Sequence, residues 1–168
     1  MLPENKKAVI YFNGVDIVKE QNLILSDVNL TIYEKDFVYL TGKVGSGKSS
    51  IIRTIIGDIP VRKGEAWVAG YELNKLKSKQ IPLLRRQMGI VFQDFQLLKD
   101  RSIADNFRFI LNATGKSDKR EIDKIIEETL LSVGLELKSH KMPHQLSGGE
   151  QQKAAIARAL LNNPKVLL

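Results

Sequence analysis

The string Gly42-Lys43-Val44-Gly45-Ser46-Gly47-Lys48-Ser49 constrains this chain more than any other feature. It follows Phe37-Val38-Tyr39-Leu40, an apolar run of the kind expected for a strand buried on both faces. It precedes Ser49-Ser50-Ile51-Ile52-Arg53-Thr54-Ile55-Ile56, which reads as a helix ending near Gly57. Strand, glycine-rich loop and helix in that order is the context in which G-x-x-x-x-G-K-[ST] cradles phosphate. Glycines let the backbone wrap phosphate oxygens and present successive N–H groups, and the positive end of the next helix favours an anion. Lys48 is expected to reach the β- and γ-phosphates and the Ser49 hydroxyl to ligate Mg²⁺. The expected ATP-binding residues of this loop are Gly42, Lys43, Val44, Gly45, Ser46, Gly47, Lys48, Ser49 and Ser50. The alternative, a glycine-rich turn with no ligand, does not account for lysine and serine in these places.

The 168 residues suffice for one α/β domain, and 43% hydrophobic with 27% charged residues argues against wholesale disorder. There is no cysteine, which excludes a disulfide framework and a thiolate metal site. Met1-Leu2-Pro3-Glu4-Asn5-Lys6-Lys7 lacks the apolar run of a signal peptide, and no apolar stretch approaches a membrane span. A soluble protein is expected, with any membrane role arising through a partner. The net charge of +7 raises the question of an anionic partner. Lys75, Lys77, Lys79, Arg85 and Arg86 form the densest basic stretch, for which a solvated helix face is the favoured reading.

Val28, Leu30 and Ile32 alternate with Asn29, Thr31 and Tyr33, the period of a strand with one buried face. Gly89-Ile90-Val91-Phe92 is a second buried-strand candidate. Ser102 with Asp105 can cap a helix. From Lys119 to Val133, the residues Ile122, Ile125, Ile126, Leu130 and Val133 share one helical stripe. Ala154 to Leu161 reads as a helix stopped by Asn162-Asn163-Pro164, and Val166-Leu167-Leu168 as a strand interrupted midway.

Leu146-Ser147-Gly148-Gly149-Glu150-Gln151-Gln152 adds a second loop of special chemistry. Ser147 and Glu150 form a capping box, yet two glycines in a first turn weaken a helix start unless something must approach its backbone. A second anion site at this helix N-terminus explains them. Here the chain resembles the ABC ATPase family, whose signature is this string. The resemblance implies an α/β P-loop NTPase fold with an N-terminal antiparallel β-subdomain and an inserted α-helical subdomain. Residues 1–93 would be the β-subdomain and P-loop core, 94–147 the helical subdomain with the signature loop, and 148–168 the signature helix and the next strand's start. It also implies a homodimer sandwiching two ATP molecules. Ser147, Gly148, Gly149 and Glu150 of one subunit would face the γ-phosphate held by the other.

Phe92-Gln93-Asp94 matches the family's Q-loop, so Gln93 would touch Mg²⁺ and the attacking water and share the catalytic role with Lys48. Leu84 to Gly89, Phe92 to Leu98 and Asp100 to Asn106 are similar to the family's cell-division branch. That branch implies a peripheral location on the inner face of the plasma membrane and an integral membrane permease as partner, with no nucleic acid. The branches for lipoprotein release and macrolide export share much of the pattern. A non-transport ABC ATPase acting on nucleic acid or ribosome is the alternative from another class. Three departures stand out. Val18, which joins the expected ATP-binding residues from the N-terminal part of the chain, occupies the position where an aromatic residue stacks on adenine, and Lys153 stands where arginine is common. The aspartate and glutamate expected after a Val166–Leu168 strand, and the switch histidine, are absent, and His140 and His144 precede the signature. The 168 residues are therefore read as part of a longer protein, able to bind nucleotide but hydrolysing it negligibly without a water-activating carboxylate.

Overall fold

Ile10, Phe12, Val15 and Ile17 are the most deeply buried positions of β1 (Ala8–Lys19). Their two-residue period slips once, between Phe12 and Val15, where Gly14 takes a positive φ of 61° and the ladder to its neighbours shifts register. β1 pairs antiparallel with β2 (Asn22–Tyr33) on one side and β3 (Lys63–Val68) on the other, and β3 continues into β4 (Tyr71–Glu72). The order is β2-β1-β3-β4. Asp16 ties the three long strands together, accepting from Lys63 Nζ at 2.8 Å, Asp27 N at 2.9 Å and Ser26 Oγ at 3.1 Å. The helix α1 (Lys48–Ile55) packs against β1 and buries Thr54 and Ile55. The short helix α2 (Ile81–Arg85) buries Leu84 and anchors Arg85 Nε on the Ile56 carbonyl at 3.0 Å.

The computed structural model describes residues 7–168, which divide into two units between Gln87 and Met88. The second unit is built on three helices, α3 (Ile103–Ala113), α4 (Lys119–Ser132) and α5 (Gly148–Leu160). Ser102 caps α3 by accepting from Asp105 N, and Asp118 caps α4 through Arg120 N and Glu121 N. Ile122, Ile126 and Leu130 form the buried stripe of α4, with Ile125 and Val133 half-buried beside it. They join Phe107, Leu111, Leu146 and Ala157 in one core, in which each large side chain contributes roughly 1.5–3 kcal/mol. β5 (Met88–Gly89) and β6 (Val166–Leu167) pair in parallel. A Cβ on Gly89 would sit 2.5 Å from the Ala159 carbonyl oxygen, so only glycine lets α5 lie this close to β5.

Three expectations are corrected. Phe37-Val38-Tyr39-Leu40 forms no ladder among the described residues, and Phe37 and Tyr39 are 83% and 79% exposed, stacked edge to face. An apolar run becomes a buried strand only when strands flank it and layers cover it, and among the described residues neither surrounds this run. The same lack of a covering layer leaves Val28, Leu30 and Ile32 of β2 only half-buried, no deeper than Thr31 and Tyr33. The second strand candidate is shorter than expected. Its ladder covers Met88–Gly89, extended by Val91 N donating to Leu168 O at 2.9 Å, while Phe92 is exposed. The basic residues 75–86 are distributed over short turns and α2 and remain exposed, as a solvated face requires.

Candidate functional site

The cradle is an exposed loop closed by α1. Gly47 is the N-cap, at φ 87°, and a Cβ there would meet the Leu25 side chain at 2.8 Å. Both conformation and space therefore require glycine. The N–H groups of Lys48 and Ser49, first in the helix, have no carbonyl a turn earlier to bond and find no protein acceptor among the described residues. Lys48 Nζ donates to Gly42 O at 2.9 Å and Lys43 O at 2.8 Å, with Ser46 Oγ at 3.5 Å. A flexible ammonium is thus held among the loop carbonyls, next to free N–H donors and a helix N-terminus. That is an arrangement for a polyphosphate. Ser49 is exposed and Ser50 half-buried, and the Val44 side chain stands fully in solvent.

Val18 is half-buried and lines a cavity of about 450 Å³ with Lys19, Gln21, Arg53, Asp58 and Arg62. The cavity opens between the turn after β1 and the far end of α1. No aromatic ring lines it.

The signature loop belongs to the second unit. Ser147 is the N-cap of α5, and its hydroxyl accepts from Glu150 N at 3.3 Å. Glu150 Oε2 in turn accepts from Ser147 N at 2.8 Å and Ser147 Oγ at 2.9 Å. The Ser147 backbone N–H and hydroxyl, together with Lys138 at 3.4 Å, hold the Glu150 carboxyl below its ordinary range. The capping box is therefore complete, and it uses neither glycine. A Cβ on Gly148 or on Gly149 would meet nothing within 4 Å, and neither residue has positive φ. Nothing in the described chain needs glycine there, in contrast to Gly47 and Gly89. Glycine in this exposed turn leaves the backbone open to a partner from outside.

Gln93 is exposed in a tight turn closed by Phe95 N donating to Phe92 O at 3.0 Å. Phe95 and Gln96 follow at φ 59° and 45°, an unusual left-handed pair without glycine. Arg158 of α5 grips that pair, Nη2 donating to Phe95 O at 2.8 Å and Nη1 to Gln96 O. The turn that follows Gln93 is thus tied to α5 within one unit. Sequence reading overlooked Arg158, although an arginine set among Ala154, Ala155, Ala157 and Ala159 was a visible signal. It also gave no role to Asn106. That side chain is buried, accepts from Leu98 N at 2.7 Å, and donates to Leu98 O at 3.0 Å and Ser102 O at 2.9 Å. His140 and His144 are exposed, as expected of loop histidines.

Comparison with known proteins extends this geometry. The family model described as ABC transporter matches residues 25–168. The cell division ATP-binding protein FtsE of Streptococcus pneumoniae is 41% identical over 156 residues, which cover 91% of this chain and 67% of that protein. The protein of the same name from Escherichia coli is 40% identical over 144 residues, covering 86% of this chain and 64% of the relative. The chain thus spans about two thirds of the length of these relatives. A dimeric ATP-binding cassette in a post-hydrolysis state, bound to ADP and Pi, superimposes with a TM-score of 0.82 at 32% identity, covering 94% of this chain and 72% of that one. CbiO1 of Clostridium perfringens, part of an ABC transporter complex, gives a TM-score of 0.85 at 27% identity over 95% of this chain and 64% of its own. With a family match across most of its length, the chain belongs to the ABC transporter family.

Proposed function

We propose that the full-length protein is the ATP-hydrolysing subunit of an FtsE-like ABC complex in cell division. In this reading ATP closes a homodimer, and the closure is passed to an integral membrane partner of the FtsX type. The observation that carries it is the pair Gly148–Gly149, open to solvent at a helix start that has no structural need of glycine. A second phosphate contact, offered to the cradle of another copy, gives those glycines a purpose.

The free N–H groups of Lys48 and Ser49 bind phosphate oxygens, and Lys48 Nζ exchanges its loop carbonyls for the β- and γ-phosphates. Among the described residues no group of three His, Cys, Asp or Glu could form a protein cage for a metal. Mg²⁺ would be held by the Ser49 hydroxyl and the substrate phosphates, the usual arrangement for this reluctantly dehydrated ion. The base sits against Val18, by apolar contact in place of stacking. Residues 1–168 bind nucleotide but turn it over negligibly, because no carboxylate in this segment is assigned to the water. Attachment to the inner face of the plasma membrane would come through the partner; among the described residues no helix is long and apolar enough to cross a membrane.

The test is equilibrium binding of ATP with Mg²⁺ by the full-length protein, read together with its sedimentation. Saturable binding that converts monomer to dimer, with both lost in Lys48→Ala, is expected. Binding with no change of assembly state would reduce the protein to a generic nucleotide binder.

A further inference from the structure

Arg158 lies ten residues beyond Gly148 on α5, about 15 Å along the axis at roughly 1.5 Å per residue. It is half-buried and pairs with no carboxylate among the described residues, so burial pushes its pKa down from the ordinary value. A guanidinium used for packing alone is a costly choice there, since a leucine or methionine fills space without desolvating a charge. What it does make is a fork of two hydrogen bonds to consecutive carbonyls, those of Phe95 and Gln96. Both residues are left-handed, a conformation that persists only where the surroundings impose it. Two neighbouring carbonyls turned toward one side chain match the fixed spacing of guanidinium donors, and a lysine would serve them less well. On its near side, the same turn closes over Gln93 through the Phe95 N to Phe92 O bond. On its far side, Asn106 pins Leu98 by both backbone groups. Between these two anchors, Arg158 ties the Phe95–Gln96 turn to α5.

We propose that Arg158 is a positioning residue that couples the Ser147 end of α5 to Gln93, by holding the turn beyond Gln93 through the Phe95 and Gln96 carbonyls. A helix transmits displacement along its axis with little loss. Movement of α5 when its N-terminus meets phosphate therefore carries the Phe95–Gln96 turn, and Gln93 with it. The coupling half of this inference rests on the proposed nucleotide function, whereas the holding half does not.

The experiment measures amide hydrogen exchange at residues 93–98, ATP affinity and ATP turnover in full-length wild type, Arg158→Ala and Arg158→Lys. In Arg158→Ala, exchange at Phe95 and Gln96 is expected to accelerate at least about tenfold, while Leu98 and α4 stay protected. Turnover is expected to fall about tenfold or more, with nucleotide affinity within about twofold of wild type. Arg158→Lys restores part of both losses, as a point charge reaching the same carbonyls would. Unchanged exchange at Phe95 and Gln96 in Arg158→Ala overturns the holding role. Accelerated exchange with full turnover overturns the coupling. Protection lost equally at α4 shows a merely structural residue and overturns both. If wild type binds no ATP, the functional reading fails on its own, and the exchange result still decides the holding role.

Discussion

Gly149→Asp separates folding from function within one side chain. Gly149 is the second residue of α5, has no positive φ, and a Cβ there touches nothing within 4 Å. Replacing glycine in a helix gains about 0.5 kcal/mol, and a carboxylate in the first turn gains roughly 0.3–1 kcal/mol from the helix dipole. The variant should therefore be more stable by about 1 kcal/mol, or roughly 2–4 °C in Tm for a domain of this size. The same carboxylate faces any phosphate that approaches the loop. Two like charges about 4 Å apart repel by roughly 4 kcal/mol at an effective dielectric of about 20, close to a thousandfold in an equilibrium constant. The assays are thermal unfolding and ATP-dependent dimerisation of the full-length protein, with Gly149→Ala as the control for size. A higher Tm with dimerisation abolished is expected of Gly149→Asp, and a higher Tm with milder loss of Gly149→Ala. A Tm lowered by several degrees would show that the fold does need this glycine. Normal dimerisation by Gly149→Asp would remove phosphate from the loop's environment.

Other outcomes follow from the same geometry. Gly89→Ala forces a Cβ to 2.5 Å from the Ala159 carbonyl and should cost about 1–3 kcal/mol, measured by denaturant unfolding. Asn106→Leu strands the Leu98 N–H and carbonyl in a part-buried site and should cost about 2–4 kcal/mol by the same assay, with exchange at residues 98–102 accelerated. Asp16, lowered mainly by its bond to Lys63, and Glu150, lowered mainly by the Ser147 N–H, titrate below their ordinary values of 3.8 and 4.5. A carboxyl with a depressed folded pKa stabilises above its unfolded value and loses that contribution as pH falls through the folded one. Acid unfolding below pH 4.5 should therefore be shallower in Asp16→Asn and Glu150→Gln than in wild type.

What could be read from residue order depended on how locally each feature is determined. The α4 stripe, the Ser102 cap and the capping box at Ser147 involve residues three or four apart, and each took its expected form. The glycine-rich loop before α1 was equally readable, because Gly42 to Ser49 carries its own conformational demands. Phe37–Leu40 misled because apolar residues state what a strand wants on its faces and not whether neighbours supply it. Arg158 and Asn106 went unassigned for a related reason. Their partners are carbonyl groups 62 and 8 residues away, and a carbonyl leaves no mark in a sequence. The needlessness of Gly148 and Gly149 could be seen only once the space around them was known.

The claim that the two glycine loops complete one pocket across two copies is tested most directly by mixing two defective proteins. Lys48→Ala damages the cradle and Gly149→Asp the signature loop, so neither homodimer should turn over ATP. In a mixed dimer one pocket carries both defects and the other carries none. Since neither variant pairs with itself, equal amounts should assemble only as mixed dimers and restore up to about half of wild-type turnover, if each pocket acts independently in a symmetric dimer. No recovery, with mixed dimers shown to form, would contradict a pocket shared between chains.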